Sequence, residues 1–186
     1  MAEENSRQTA TYRLRIDLGG TEPPLWRQLE VSSDLFLDEL HWIIQVAFGW
    51  EDCQLHEFST GRGRNTVHYV CPFLTDDGAE GIPEEEVRLD QVLVRRGDKL
   101  FYEYDFGDGW AHLIKLEAVL PRSQSIPNAR CLAGHRDGPA EECGGVSGYE
   151  EMCAAGDPDQ ELSRFDIGEI NETLACLTGE PDDGRS

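Results

Sequence analysis

Tyr12, Leu14, Ile16 and Leu18 alternate with Arg13, Arg15 and Asp17, the period of two that marks a strand with one buried face. Gly19-Gly20 and Pro23-Pro24 interrupt the run, and Leu25, Leu29 and Val31 resume it, which predicts a hairpin. Ser32, Ser33 and Asp34 offer N-caps for the next segment, where Leu37, Leu40, Ile44, Ala47 and Phe48 recur at helical spacing until Gly49 stops them. Short strands are predicted over residues 55–60 and 66–70. Residues 75–86 are acidic and rich in breakers and read as a solvated loop too polar to bury anything. Residues 89–94 then read as one or two helical turns.

A second hairpin is predicted where Leu100, Tyr102 and Tyr104 alternate with Phe101 and Glu103 before Phe106-Gly107-Asp108-Gly109, and residues 110–120 form the returning strand. Residues 121–148 are loop-rich, residues 149–155 suit a short helix, and residues 167–177 suit a final one. Runs of strands with interspersed helices predict one compact α+β domain over residues 11–178, with flexible tails at 1–10 and 179–186 and a largely antiparallel or mixed sheet. The opening order of strand, strand, helix is also that of a β-grasp.

Composition narrows the partners. The 186 residues carry 37 acidic and 16 basic side chains, a formal charge of −21. Residues 137–186 alone hold 14 acids against Arg164 and Arg185, more than half of that excess. Such a field repels phosphate backbones and anionic lipid, so direct nucleic-acid binding is disfavoured. No apolar run approaches the roughly 18 residues of a membrane span, and the N-terminus lacks the pattern of a secretory signal. A soluble cytoplasmic protein with no membrane contact is expected, its partner a protein or a small ligand.

The six cysteines are scattered without a C-x-x-C pair, so they read as thiols rather than a disulfide framework. Cys176, within Leu174-Ala175-Cys176-Leu177, suits burial best, whereas Cys131 and Cys143 fall in glycine- and proline-rich sequence where burial is less natural. No G-x-S-x-G elbow, phosphate-binding P-loop or H-E-x-x-H pair is present.

Three constellations carry chemistry. His56, His112, Cys131 and Cys143 offer the imidazole and thiolate donors of a zinc site, structural if closed and hydrolytic if one position stays open to water. The alternative is that the histidines are hydrogen-bonded within the fold and the cysteines are packed. Asp105, Asp108, Glu141 and Glu142 beside His112 form a carboxylate set that suits a hard cation or acid–base work. Aspartates that bracket a Phe-Gly turn also accept local backbone N–H groups, which is the commoner use. Trp26, Trp42, Trp50, Trp110, Tyr102, Tyr104 and Tyr149 include few neighbouring cations, so packing is favoured over base stacking.

Several motifs together resemble one known family. Leu25-Trp26-Arg27, His41, Phe48-Gly49-Trp50, Leu55-His56-Glu57-Phe58 and Tyr102-Glu103-Tyr104-Asp105-Phe106-Gly107-Asp108-Gly109-Trp110-Ala111-His112 are similar to the plasmid pRiA4b ORF-3-like family. Cys131-Leu132-Ala133-Gly134, residues 139–145, Gly148-Tyr149-Glu150-Glu151, Phe165-Asp166 and Asn171 extend the resemblance over about residues 11–177. It implies an association with plasmids and transposable elements, where one family label is insertion-element passenger TnpR-like, and it implies no defined reaction. A resolvase needs an activated serine among arginines and a basic DNA-binding tail, and this chain has a strongly acidic C-terminal quarter, so resolution of DNA is not expected.

The combined expectation is a binding or accessory protein of mobile genetic elements. Its candidate ligand-binding residues are Asp105, Asp108, Trp110, Glu141, Glu142 and Tyr149, and its candidate zinc ligands are His56, His112, Cys131 and Cys143. A metal-dependent hydrolase on the same face is the first alternative, and an acidic mimic of nucleic acid that occupies a basic protein partner is the second.

Overall fold

The alternating N-terminal run forms β1 (Ala10–Leu18), which lies near the middle of an eight-stranded sheet. It pairs antiparallel with β2 (Leu25–Ser32) through the predicted hairpin, and on its other edge with β7 (Trp110–Pro121). The second hairpin joins β6 (Lys99–Tyr104) to β7, with Tyr102 opposite His112. Beyond β6 lie β3 (His56–Thr60), β4 (Val67–Val70) and the two-residue β5 (Ile82–Pro83); the β4–β5 pair is parallel, which makes the sheet mixed. The other edge is β8 (Ala129–His135), antiparallel to β2. The strand order is β5-β4-β3-β6-β7-β1-β2-β8. This computed structural model describes residues 8–156 and 164–179; most of the two expected tails lies outside the described residues.

Inward side chains of the strands, among them Leu14, Ile16, Leu29, Leu100, Ile114 and Leu116, form one buried cluster with the helices. Helix α1 (Leu37–Phe48) contributes Leu37, Leu40, Ile44, Ala47 and Phe48, the stripe its spacing predicts. A short α2 (Pro72–Asp76) and α3 (Leu89–Val92) follow, then α4 (Gly145–Ala155) and α5 (Ile167–Thr178). Gly49 ends α1 at φ 79°, a left-handed conformation that lacks a steric cost only for glycine, and its N–H returns to the Gln45 carbonyl at 2.9 Å.

Four expectations need correction. The N-cap of α1 is Phe36, whose N–H is taken by the Glu39 carboxylate at 2.7 Å; Ser33 Oγ instead accepts from Ala10 N, and Ser32 Oγ donates to Asp34. The acidic stretch is no simple solvated loop, because Ile82 and Pro83 join the sheet and Glu84 is only 2% exposed. The loop expected over residues 121–148 contains β8, which buries Cys131. Cys176 is exposed, because α5 presents Ile170 and Leu174 to the core and residue 176 falls off that stripe.

Arg27 points into the core, 1% exposed, and forms no ion pair among the described residues. Its Nε donates to the Ala47 carbonyl at 2.8 Å, and Nη1 donates to the carbonyls of Trp26 and His135. The guanidinium lies 4.1 Å from the centroid of Phe165 and 5.1 Å from that of Phe48. Burial lowers its pKa to about 10. Phe165 packs so closely that a Cβ on Gly134 would stand 2.5 Å from its ring, which explains a glycine inside β8. On the opposite face, Glu30 is buried between Arg13 and Arg130; burial pushes its carboxyl up, and the two guanidinium bonds outweigh that and hold it below the ordinary value.

The edge of β8 is closed by a side chain. Asn171 of α5 accepts from Cys131 N at 2.7 Å and donates to the Cys131 carbonyl at 3.0 Å, as a neighbouring strand would. Asn171→Ala leaves both groups without that partner and is expected to cost about 1–3 kcal/mol. Urea denaturation should read this as a lower midpoint at an unchanged m-value. A wild-type midpoint would show that the two bonds contribute nothing.

Candidate functional site

Register decides which candidate residues meet. His56 opens β3 opposite Tyr104 of β6, whereas His112 on β7 is opposite Tyr102, so their backbones stand two strands and two residues apart, about 12 Å at ordinary strand geometry. Cys131 on β8 is three strand positions beyond β7, about 14 Å. The expected zinc set of His56, His112, Cys131 and Cys143 is therefore not assembled. His112 Nδ1 faces the Trp110 carbonyl at 2.9 Å, and its ring packs edge-on against Phe48 and Trp50. The Cys131 thiol faces the Ala133 carbonyl, and Cys143 is half-buried near the Gly145 carbonyl.

The carboxylate set converges, but on the chain's own N–H and O–H groups. Asp105 has φ 56° and its Oδ1 accepts from Gly107 N and Asp108 N at 3.0 and 3.2 Å, the turn chemistry favoured from sequence. Asp108 accepts from Gly144 N, Glu141 accepts from Tyr104 Oη and Glu51 N, and Glu142 accepts from Gln54. Trp110 is fully buried, and the Tyr149 hydroxyl donates to the Asp137 carbonyl. These contacts bind the loop before α4 to the β6–β7 turn and to the turn after α1.

A different constellation lies where α1 crosses β3 and β6. His41 sits on the apolar stripe of α1, and its ring stacks on His56 with centroids 3.5 Å apart and planes 5° from parallel. Each imidazole has a carboxylate: His41 Nε2 is 2.9 Å from Asp52 Oδ1, and His56 Nε2 is 3.0 Å from both oxygens of Glu84. Among the described residues, His41, Asp52 and His56 are the one group whose metal-donor atoms lie within 4.8 Å of one another.

The protons around His41 can be placed from the bonds. The Asp52 N–H, which can only donate, meets Gln45 Oε1 at 2.9 Å, so the Gln45 amide must present its NH₂ to Tyr102 Oη at 3.0 Å. Tyr102 then donates to His41 Nδ1 at 2.9 Å, and His41 donates from Nε2 to Asp52. The circuit closes on the residue where it began and holds His41 neutral. Burial, with the charge of His56 second, lowers the His41 pKa to about 2. Burial likewise raises the carboxyls of Asp52 and Glu84, with the His56 bond opposing the rise at Glu84 and the negative charge of Asp38 reinforcing it.

This pair of dyads forms one side of an open cleft of about 510 Å³, lined also by Asp38, Trp42, Leu55 and Phe73. Trp42 and Phe73 are 45% and 72% exposed, so the rim is aromatic. No lysine or arginine is among the described residues that line it. Asp38 Oδ1 is buried without a hydrogen-bond partner among the described residues. A slightly larger cavity, about 580 Å³, lies across Trp42 beside Asp34, Ile43 and Leu177. It holds no imidazole, and its Arg122 is bonded to the Ile126 and Pro127 carbonyls and to Asn128.

Of this constellation, His56 alone is among the ligand candidates expected from the sequence. A histidine at position 41 on an otherwise apolar helical stripe is a usable signal. Asp52, at φ 55° just after the helix stop, and Glu84, one acid in an acidic run, carried none.

Fold and cleft together define a single α+β domain with a half-open imidazole–carboxylate pocket and no nucleophile motif. The chain belongs to the plasmid pRiA4b ORF-3-like protein family, whose model matches residues 10–172. It is 36% identical over 156 residues to the uncharacterized protein y4hQ of Sinorhizobium fredii (strain NBRC 101917 / NGR234), covering 82% of this chain and 76% of that one. The crystal structure of the protein of unknown function MM3350 from Methanosarcina mazei Go1 is similar at 29% identity with a TM-score of 0.69, covering 95% of this chain and 92% of that one. No helix among the described residues is long and apolar enough to cross a membrane.

His112 supplies a test of the buried core beneath the site. Burial lowers its pKa from 6.5 to about 4. Below about pH 6.5 the unfolded chain takes up a proton that the folded state refuses, so this contribution is full above that pH and is lost as pH falls toward 4. The slope approaches about 1.4 kcal/mol per pH unit. His112→Phe should therefore give a shallower loss of stability between pH 6.5 and 4.5 than the wild type in urea titrations. Parallel curves would show that His112 takes up its proton in the fold as readily as in the unfolded chain.

Proposed function

We propose that this protein is a binding module, an accessory of mobile genetic elements as its family name suggests, and that its ligand is a cation held in the His41–His56 cleft. The observation that carries this reading is the charge inventory of the cleft. Asp38, Asp52 and Glu84 line one pocket, both imidazoles have their Nε2 atoms on carboxylates, and no lysine or arginine is among the described residues that line it. Carboxylates gathered in a half-buried pocket repel one another, and a cation relieves that repulsion. Direct contact with nucleic acid is disfavoured on the same ground.

A divalent metal is one form of that cation, favoured by the closeness of the His41, Asp52 and His56 donor atoms. Zinc accepts donors of these types, and an open position on it would permit hydrolysis.

Thermal melts of the full chain test the reading. A cation at 100 times its Kd adds about 2.7 kcal/mol, which for a chain of this size is roughly 5–10 °C in Tm. At least one member of a panel of Zn²⁺, Mn²⁺, methylammonium and benzylammonium should raise Tm, and Asp38→Asn with Glu84→Gln should abolish the rise. A panel in which no cation shifts Tm overturns the proposal.

A further inference from the structure

The identity of the cation can be narrowed from the geometry of the two rings. An imidazole binds a metal along its lone pair, which lies in the ring plane. His41 and His56 are parallel with centroids 3.5 Å apart. An ion midway between parallel rings at that separation would stand about 1.8 Å out of each plane, most of the roughly 2.0–2.1 Å of a zinc–nitrogen bond. The stack therefore does not converge its lone pairs on a shared point.

The hydrogen bonds add a second obstacle. His41 carries its proton on Nε2, because the Asp52 N–H fixes Gln45, Gln45 fixes Tyr102, and Tyr102 donates to Nδ1. Freeing Nε2 for a metal moves that proton to Nδ1, where it faces a hydroxyl that already accepts from Gln45. The fully buried Tyr102 would lose the acceptor for its own proton. Four bonds that satisfy one another oppose ligation by His41.

The remaining features suit a donor with a body. Among the described residues Asp38 Oδ1 has no hydrogen-bond partner, and a carboxylate oxygen in that state calls for an N–H or O–H. The cleft, about 510 Å³, is within the range of small-molecule sites and far larger than an ion needs. Trp42 and Phe73 are exposed at its rim, with Leu55 beside them, and aromatic rings attract organic cations and apolar carbon alike.

We infer that the cleft binds an organic ammonium group carried on an apolar or aromatic body, with the charged head among Asp38, Asp52 and Glu84 and the body against Trp42, Leu55 and Phe73. This rests on the cation reading above and specifies its chemical class. A free arylalkylamine and a peptide-borne lysine side chain both offer this chemistry.

Calorimetric titration of the full chain tests it with tryptamine, benzylamine, methylamine, Nα-acetyl-lysine methylamide, benzyl alcohol, Zn²⁺ and Mn²⁺. At least one amine should bind with one-to-one stoichiometry, and benzyl alcohol should bind at least tenfold more weakly than benzylamine. Asp38→Asn should weaken the amines at least fivefold. Phe73→Ala, at a position too exposed to threaten folding, should weaken benzylamine while leaving methylamine unchanged. The acetyl-lysine probe binding more tightly than the two arylalkylamines would identify a peptide-borne side chain as the source; the reverse would identify a free amine. Equal binding of benzyl alcohol and benzylamine overturns the inference, because the pocket would then be reading carbon and not charge. One equivalent of Zn²⁺ or Mn²⁺ bound with every amine silent overturns it while the cation reading survives. Silence from amines and metals together overturns both.

Discussion

The hydroxyl of Tyr102 is the contact on which the cleft depends. It lies on a central strand with no access to water, so it must find its partners inside the protein or impose a desolvation cost of a few kcal/mol. Gln45 and His41 both come from α1, one turn apart, and both reach this oxygen. The helix is thereby held to β6 at one rotation, and the turn after it is drawn in through Asp52. Polar networks of this kind are stabilising when complete and damaging when one member is lost. The stacked rings and the cleft beyond them follow from that fixed rotation of α1.

The same helix separates charge along its length. Its first turn carries Asp38 and Glu39, where the helix dipole favours acids, and its last turn offers the Ala47 carbonyl to the buried guanidinium of Arg27. Arg27 sits under one end of α1 between two aromatic rings, while the acidic cleft opens at the side of the helix facing β3. A cation supplied by the chain thus stabilises one region and is kept out of the other. Neither position can be inferred from a net charge of −21, which describes the molecule from a distance.

Much of the sheet was legible because its strands bury one face. The alternation of residues 12–18 and 100–104 and the helical stripe of residues 37–48 are direct records of burial. β8 escaped notice because its buried positions Ala129 and Cys131 are small and give little contrast, and Gly134 resembles a breaker where in fact Phe165 requires it. Glu84 escaped for the opposite reason, since a buried acid inside an acidic run has the composition of solvated chain. His56 was legible as a candidate ligand, and its partners were not. Glu84 lies 28 residues further on, and the pairing depends on how the parallel β4–β5 contact returns the chain to the sheet. The Asp105 turn was read correctly because its bonds are local, spanning two and three residues.

The amide of Asn171 has a consequence beyond the stability of α5. An edge strand whose N–H and C=O groups face outward is a template for another chain, and proteins blunt such edges to avoid joining edge to edge. Here a single side chain occupies both groups of Cys131 and imitates one residue of a ninth strand. The opposite edge is β5, only two residues long. One margin is plugged and the other is too short to recruit, so the sheet is a finished object that resists propagating into a fibre.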